Sequence, residues 1–195
     1  RVDIPHPPHV PSQVEAAISY ISSLPLSQKD WSIGTNGMRE MVKLLHAANP
    51  SLFRARAMTI LEIGTCRSLT SCLMAQLGVV YTLDVSHYAE TRGIMEGSPE
   101  GTRSRIVFVT SGDADRGRAL LSKMRFDAVS IDGCHTYEAV QKDISFAAPL
   151  SAALIFHDYD ERHAANVVRA VDEFAASCPL AYASKTSCLA FCRVR

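Results

Sequence analysis

The chain predicts a doubly wound α/β domain: a mostly parallel seven-stranded sheet with a C-terminal antiparallel hairpin and two helices ahead of it. Three observations carry that expectation. From about residue 58 onward, strand-length apolar runs alternate with stretches of helical periodicity, the pattern of βαβ units. Three of these runs, "TILEIG" (59–64), "FDAVSID" (126–132) and "ALIFHD" (153–158), stop abruptly at acidic, Gly or His residues. The chain then changes texture, and "LAYASKTSCLAFCRV" (180–194) reads as two apolar runs about a polar "SKTS" turn.

Taken in order, the Pro-restricted "PHPPH" is extended, with His6 and His9 solvated. Ser12 and Glu15 form an S-x-x-E capping box, after which Val14, Ala17, Ile18 and Ile21 recur at helical spacing until Pro25. A second helix starts near Asn36, carries Met38, Met41, Val42 and Leu45 on one face, and is closed by Asn49 and Pro50. Between the two, "WSIGTNGM" (31–38) is a connection whose Gly34 and Gly37 would let it act as a gate, with Trp31 tucked on the core as the plainer alternative. Strands are predicted at 58–63, 79–84, 105–110, 126–132 and 152–157. Helices are predicted at 67–77, 86–95, 115–124, 136–147 and 164–177. The 195 residues make one domain, with 1–50 a helical cap over the cofactor crevice and 51–195 the core.

Composition narrows the function. Twenty basic and 20 acidic residues give no net charge and no basic stripe, so neither nucleic acid nor an anionic membrane is indicated as partner. No apolar stretch approaches the roughly 20 residues that span a bilayer. The chain begins without Met, consistent with a segment upstream, and has no signal-peptide pattern. The six cysteines fall into no C-x-x-C or zinc spacing, so they read as free thiols in a reducing, cytoplasmic setting. Cys66 and Cys134 lie in site loops, where packing is a plainer role than thiol catalysis.

Ligands of an open parallel sheet bind where the carboxyl ends of neighbouring strands face one crevice, so three polar strand ends point to one site. The first is not a dinucleotide fingerprint: G-x-G-x-x-G counted from Gly64 demands Gly at 66 and 69, where Cys66 and Leu69 stand. An acid two positions before a turn-forming Gly remains. The second strand ends at Asp84, about twenty residues beyond Gly64, where an acid accepts ribose hydroxyls. After the third strand, Asp113 has two readings, a ligand contact and a helix N-cap, a role Asp115 could also fill.

With "DGCHTY" (132–137), "FHDYD" (156–160) and "NVVRAVDEF" (166–174) on the page, the chain resembles class I S-adenosylmethionine-dependent methyltransferases. The resemblance is to the family with D-G-x-H-x-Y after strand four and H-D after strand five, related to macrolide-sugar and more distantly to catechol O-methyltransferases. It spans roughly 58–194 and implies a Rossmann-like fold. By that resemblance, Glu62, Gly64, Thr65 and Ser68 border the methionine part of S-adenosyl-L-methionine, Asp84 holds its ribose, and Asp113 with Ala114 faces its adenine. Asp132 lines the same crevice and, with His157 and Asp158, corresponds to the family's divalent-cation ligands, which implies Mg²⁺. His135 corresponds to the general base. Ser68 stands where the family has Gly, and His157 where the metal enzymes have an acid.

The implied chemistry is methyl transfer to a hydroxyl of a small molecule, a sugar moiety or phenol of a natural product. The enzyme must align that hydroxyl and remove its proton. A cation nearby would keep His135 neutral and able to accept the proton. Two other classes stay open at the level of sequence: a non-catalytic S-adenosylmethionine-binding partner subunit, and a nicotinamide oxidoreductase.

Overall fold

The structure, a computed structural model, describes residues 10–25, 34–86, 90–110 and 113–194. His6, His9, Trp31 and Tyr88 lie outside the described residues. The elements are α1 (Ser12–Ser23), α2 (Gly34–Ala48), α3 (Pro50–Ala55), β1 (Met58–Ile63), α4 (Leu69–Met74), β2 (Gly78–Asp84), α5 (Thr91–Gly97), β3 (Ile106–Thr110), α6 (Ala114–Leu121), β4 (Ala128–Ile131), α7 (Tyr137–Ala147), β5 (Ala153–Phe156), α8 (Glu161–Ala175), β6 (Leu180–Ser184) and β7 (Leu189–Arg193).

The seven strands form one sheet in the order β3-β2-β1-β4-β5-β7-β6. β1 to β5 pair in parallel, and β7 inserts antiparallel between β5 and β6. The expected terminal hairpin is present, with its second strand on the inside. The sheet winds outward in both directions from β1 and β4, so the crevice beyond their carboxyl ends is the topological switch point at which such sheets bind ligands.

Alternation along the strands sends side chains to two separate cores. Met58, Ile60, Val80, Ile155 and Phe191 face one layer, built from α1, α2, α3, α4 and α5. Leu61, Ile63, Leu83, Val129, Ile131 and Phe156 face the other, with Val140, Ile144, Val167 and Val171 of α7 and α8. The N-terminal helices therefore do more than cover a crevice. Val14, Ile18, Met41 and Leu45 are buried on the first face, and Tyr20 of α1 donates its hydroxyl to the Ile94 carbonyl at 2.7 Å. Of the proposed gate, residues 31–33 lie outside the described region, while Gly34 and Gly37 are residues of α2.

Some local expectations need correction. The capping box at Ser12 is not formed: the Ser12 hydroxyl turns to Gln13, and the Val14 and Glu15 amides bond the Pro11 carbonyl instead. Pro50 opens a helix as well as ending one. Its missing N–H and fixed φ suit a first helical turn, and the Asn49 side chain caps α3 by accepting from the Leu52 amide at 3.2 Å. α8 begins at Glu161, ahead of a break at Ala164 (φ −143°, ψ 55°), so the regular helix starts where the periodicity does. The cysteines are not all free. Cys178, just after α8, and Cys192 in β7 form a disulfide with Cα atoms 6.5 Å apart. Two residues 14 apart match no spacing motif, and the expectation of a reducing compartment loses its support. No helix among the described residues is long and apolar enough to cross a membrane.

At the switch point the two central strand ends nearly touch. Gly64 has φ +94°, and a Cβ built on it would lie 2.0 Å from the Asp132 carbonyl oxygen. The neighbouring Asp132 amide bonds the Ile63 carbonyl at 2.8 Å. No side chain fits there without parting β1 from β4. Gly64→Ala should therefore lower stability by at least about 2 kcal/mol, read as a reduced urea midpoint at unchanged slope. An unchanged midpoint would mean that the contact between the two loops gives way easily.

Candidate active site

β1 ends in Glu62, Ile63 and Gly64, and Glu62 points into the first layer, 1% exposed. Its Oε2 accepts hydrogen bonds from the hydroxyls of Ser71 on α4 and Thr82 on β2, the latter at 2.9 Å. Its Oε1 is buried with no partner. Burial pushes this carboxyl up to about 7, against the pull of the hydroxyl donors. The turn that follows is unusual for its residue types: Cys66 (φ 42°) and Ser68 (φ 63°) both lie in the left-handed region. Ser68, in place of the family's glycine, adopts the conformation a glycine would take, and its hydroxyl is buried without a partner.

Asp84, at the end of β2, holds this turn. Its Oδ2 accepts from the amides of Thr65 (2.8 Å) and Cys66 (2.9 Å), and its Oδ1 from those of Val85 (2.7 Å) and Ser86 (3.3 Å). A carboxylate offers about four acceptor sites, and all are in use. Thr65 adds a buried hydroxyl contact to Thr82. At the third strand end Asp113 caps α6, accepting from the Asp115 amide at 2.9 Å, and Ala114 is the first residue of the helix. The capping role is thus observed.

The fourth and fifth strand ends bring the acids together. Asp132 follows β4 and Asp158 follows β5, the latter in left-handed backbone (φ 54°). One ligand atom each of Asp132, His135 and Asp158 lie within 4.8 Å of one another. His135 Nε2 is 3.0 Å from Asp158 Oδ2. His135 joins Asp132 and Asp158 in this group, and the expected third ligand, His157, stands beside Asp132. His157, the buried residue that follows β5, has its amide bonded to the Ile131 carbonyl at 3.0 Å. Its Nδ1 lies 3.3 Å from Asp132 Oδ2 but is not aligned for a hydrogen bond.

Charge follows geometry. Burial raises the Asp132 carboxyl well above the usual range, and the neighbouring Asp158 and Glu62 carboxylates add to this. Asp158 is held below the usual range by the His135 hydrogen bond. His135 in turn is raised, chiefly by its hydrogen bond to Asp158. Burial drives His157 down to about 4, so it is neutral at pH 7. Cys66 is raised by burial, which leaves a protonated thiol and not an activated nucleophile. Tyr137 donates to Glu173 and lies under the Arg169 guanidinium at 4.2 Å, so it locks α7 to α8. Arg92 is paired with Glu96, and His163 is largely exposed, 3.9 Å from Asp160.

Residues 61–159, from β1 to the loop after β5, match a family model described as a methyltransferase domain. The chain belongs to that methyltransferase family. The matched segment contains every residue of the site described above, and membership decides against the nicotinamide oxidoreductase. No curated protein sequence matches the chain. Among solved structures, the cofactor-bound Rv0187 from MTB is similar at 20% identity and TM-score 0.65, covering 95% of this chain and 91% of the other. An O-methyltransferase from Bacillus cereus in complex with SAH is 17% identical, with TM-score 0.60 over 95% of this chain and 92% of that one. TomG from Streptomyces achromogenes, an O-methyltransferase of tomaymycin synthesis in complex with SAM, is 19% identical, with TM-score 0.60 over 95% and 91%. At these identities the likeness is one of fold.

The residues of the methyltransferase suit its cofactor, S-adenosylmethionine. The orphaned Glu62 Oε1 and Ser68 hydroxyl leave an acceptor and a hydroxyl unmet at the switch point, the donor set a zwitterionic methionine end calls for.

The elevated Glu62 makes a pH prediction with a definite sign. An unfolded Glu titrates near 4.5 and the folded one near 7, so between these values the native state binds the extra proton and its stability falls as pH rises. The contribution is full below 4.5 and lost above about 7. Glu62→Gln should remove this part of the loss. The drop in unfolding free energy from pH 5 to pH 8 should be smaller in the variant, and equal drops would assign the loss to other groups.

Proposed function

We propose that this methyltransferase is a divalent-cation-assisted O-methyltransferase acting on a hydroxyl of a small molecule, a sugar moiety or phenol of a natural product. The convergence of Asp132, His135 and Asp158 beside the cofactor loop carries the reading. A methyl donor alone does not require two carboxylates and an imidazole at the mouth of its crevice. The solved structures of similar fold that are O-methyltransferases, one of them in tomaymycin synthesis, support it.

In this reading the Gly64 turn, with Glu62, Thr65 and Ser68, receives the methionine end of the cofactor. Asp84 receives the ribose, whose hydroxyls would compete with the Val85 and Ser86 amides for Oδ1. Asp113 and Ala114 border the adenine. Asp132 and Asp158 hold a hard cation such as Mg²⁺, for which oxygen ligands are the right donors. Without a cation, burial raises Asp132 and the hydrogen bond from His135 lowers Asp158, so the two carboxyls are set apart. When bound, the cation supplies positive charge that acidifies an acceptor hydroxyl. His157, neutral and buried, backs Asp132 without ligating. His135, the exposed member of the group, takes the acceptor's proton at Nε2 once that atom is released from Asp158.

Methyl transfer to hydroxylated acceptors should fall to background on exhaustive chelation and return with added Mg²⁺. A rate that survives chelation would remove the cation from the mechanism. His135→Ala should lower kcat by about 10²–10⁴, the usual contribution of one acid–base group, with methyl-donor affinity nearly unchanged. Single-turnover rates and donor titrations on the same preparation separate the two effects. A loss of less than about tenfold would return His135 to a local packing role at the start of α7.

A further inference from the structure

The cofactor turn contains a guanidinium with two donors that no described residue answers. Arg67 stands between the left-handed residues Cys66 and Ser68, three positions past Gly64. Its Nε and Nη1 are closed off from solvent and meet no acceptor. A guanidinium stays charged at any relevant pH, and its shielded donors are costly when unmet. At the foot of the same turn Glu62 has the opposite deficit, with Oε2 engaged by Ser71 and Thr82 and Oε1 buried without a donor. The two do not satisfy each other. A turn with one unanswered cation and one unanswered acid is complementary to a ligand that carries both signs on neighbouring atoms. The methionine end of S-adenosylmethionine is such a group, an ammonium and a carboxylate on one carbon.

We propose that Arg67 reads the carboxylate of the methyl donor while Glu62 Oε1 takes its ammonium. The assignment rests on the cofactor placement proposed above and adds to it a residue that the glycine-and-acid pattern does not contain. Arg suits the task because its planar fork of donors matches a carboxylate, and the fixed backbone on either side limits where the side chain can reach. The competing occupant is an anionic group on the acceptor.

Two ligands separate these possibilities: S-adenosylmethionine, and decarboxylated S-adenosylmethionine, which keeps the adenosine, sulfonium and ammonium but lacks the carboxylate. Calorimetric titration of the wild-type chain should give at least about tenfold tighter binding of the complete cofactor. Arg67→Gln should lose about that factor for S-adenosylmethionine and bind the decarboxylated form as the wild type does, and Arg67→Lys should recover part of the loss. Equal losses for both ligands in variants that melt like the wild type would overturn the assignment and make Arg67 a scaffold of the turn. No loss for either would also overturn it, and would point to an anionic acceptor. Should Arg67→Gln fail to fold, Arg67→Lys decides, since a shift confined to the carboxylated ligand supports the proposal and a uniform one refutes it. Wild-type protein that binds neither ligand is a different pattern, and would overturn the cofactor placement itself.

Discussion

Three acidic side chains gathered at the carboxyl ends of neighbouring parallel strands constrain everything else in this molecule. Burial raises the proton affinity of Glu62 and Asp132, and for Asp132 the neighbouring Asp158 and Glu62 carboxylates add to it. The fold answers each differently: hydroxyls from α4 and β2 solvate one oxygen of Glu62, His135 pairs with Asp158, and burial favours the protonated form of Asp132. None of these is a permanent lysine or arginine partner. The sheet topology is what lets three distant segments share one crevice.

That topology also explains why the turn after β1 can be so irregular. Left-handed backbone at Cys66 and Ser68 is unfavourable for residues with a Cβ. The four amide bonds to Asp84, two of them from Thr65 and Cys66, hold the turn in place from the neighbouring strand. The carboxylate is a structural hub whatever else it contacts. Loss of ligand affinity on removing it would mix a lost contact with a relaxed turn.

Much of this was legible in the sequence because it follows from periodicity. The limits of β1 match the expected 58–63, and the other strands differ by a residue or two at their ends, since buried parallel strands are bounded by sharp polar breaks. The resemblance also led to Asp132, His135 and Asp158, because the motif spacing fixes strand ends. What remained hidden depends on orientation or on distant contacts. Asp158 joins Asp132 and His135 from left-handed backbone beyond β5, which no periodicity announces. That Pro50 begins a helix depends on the Asn49 side chain, which caps it while also donating to Asp127. Thr82 and Ser71, which solvate Glu62, look like ordinary strand and helix residues until the fold brings them together, and Arg67 differs from a surface arginine in having its Nε and Nη1 shut off from water.

The disulfide between Cys178 and Cys192 closes a covalent loop around the whole β6–β7 turn, including Lys185, whose side chain is 68% exposed. A tryptic cut at that lysine would not release the C-terminal strand. The nicked chain would stay in one piece with β7 still seated against β5, and would separate into two fragments only on reduction. β7 is the strand that pairs with β5 and so supports the backbone just ahead of Asp158. The covalent clasp therefore lets the exposed hairpin tip be damaged without the acid-bearing strand losing its neighbour.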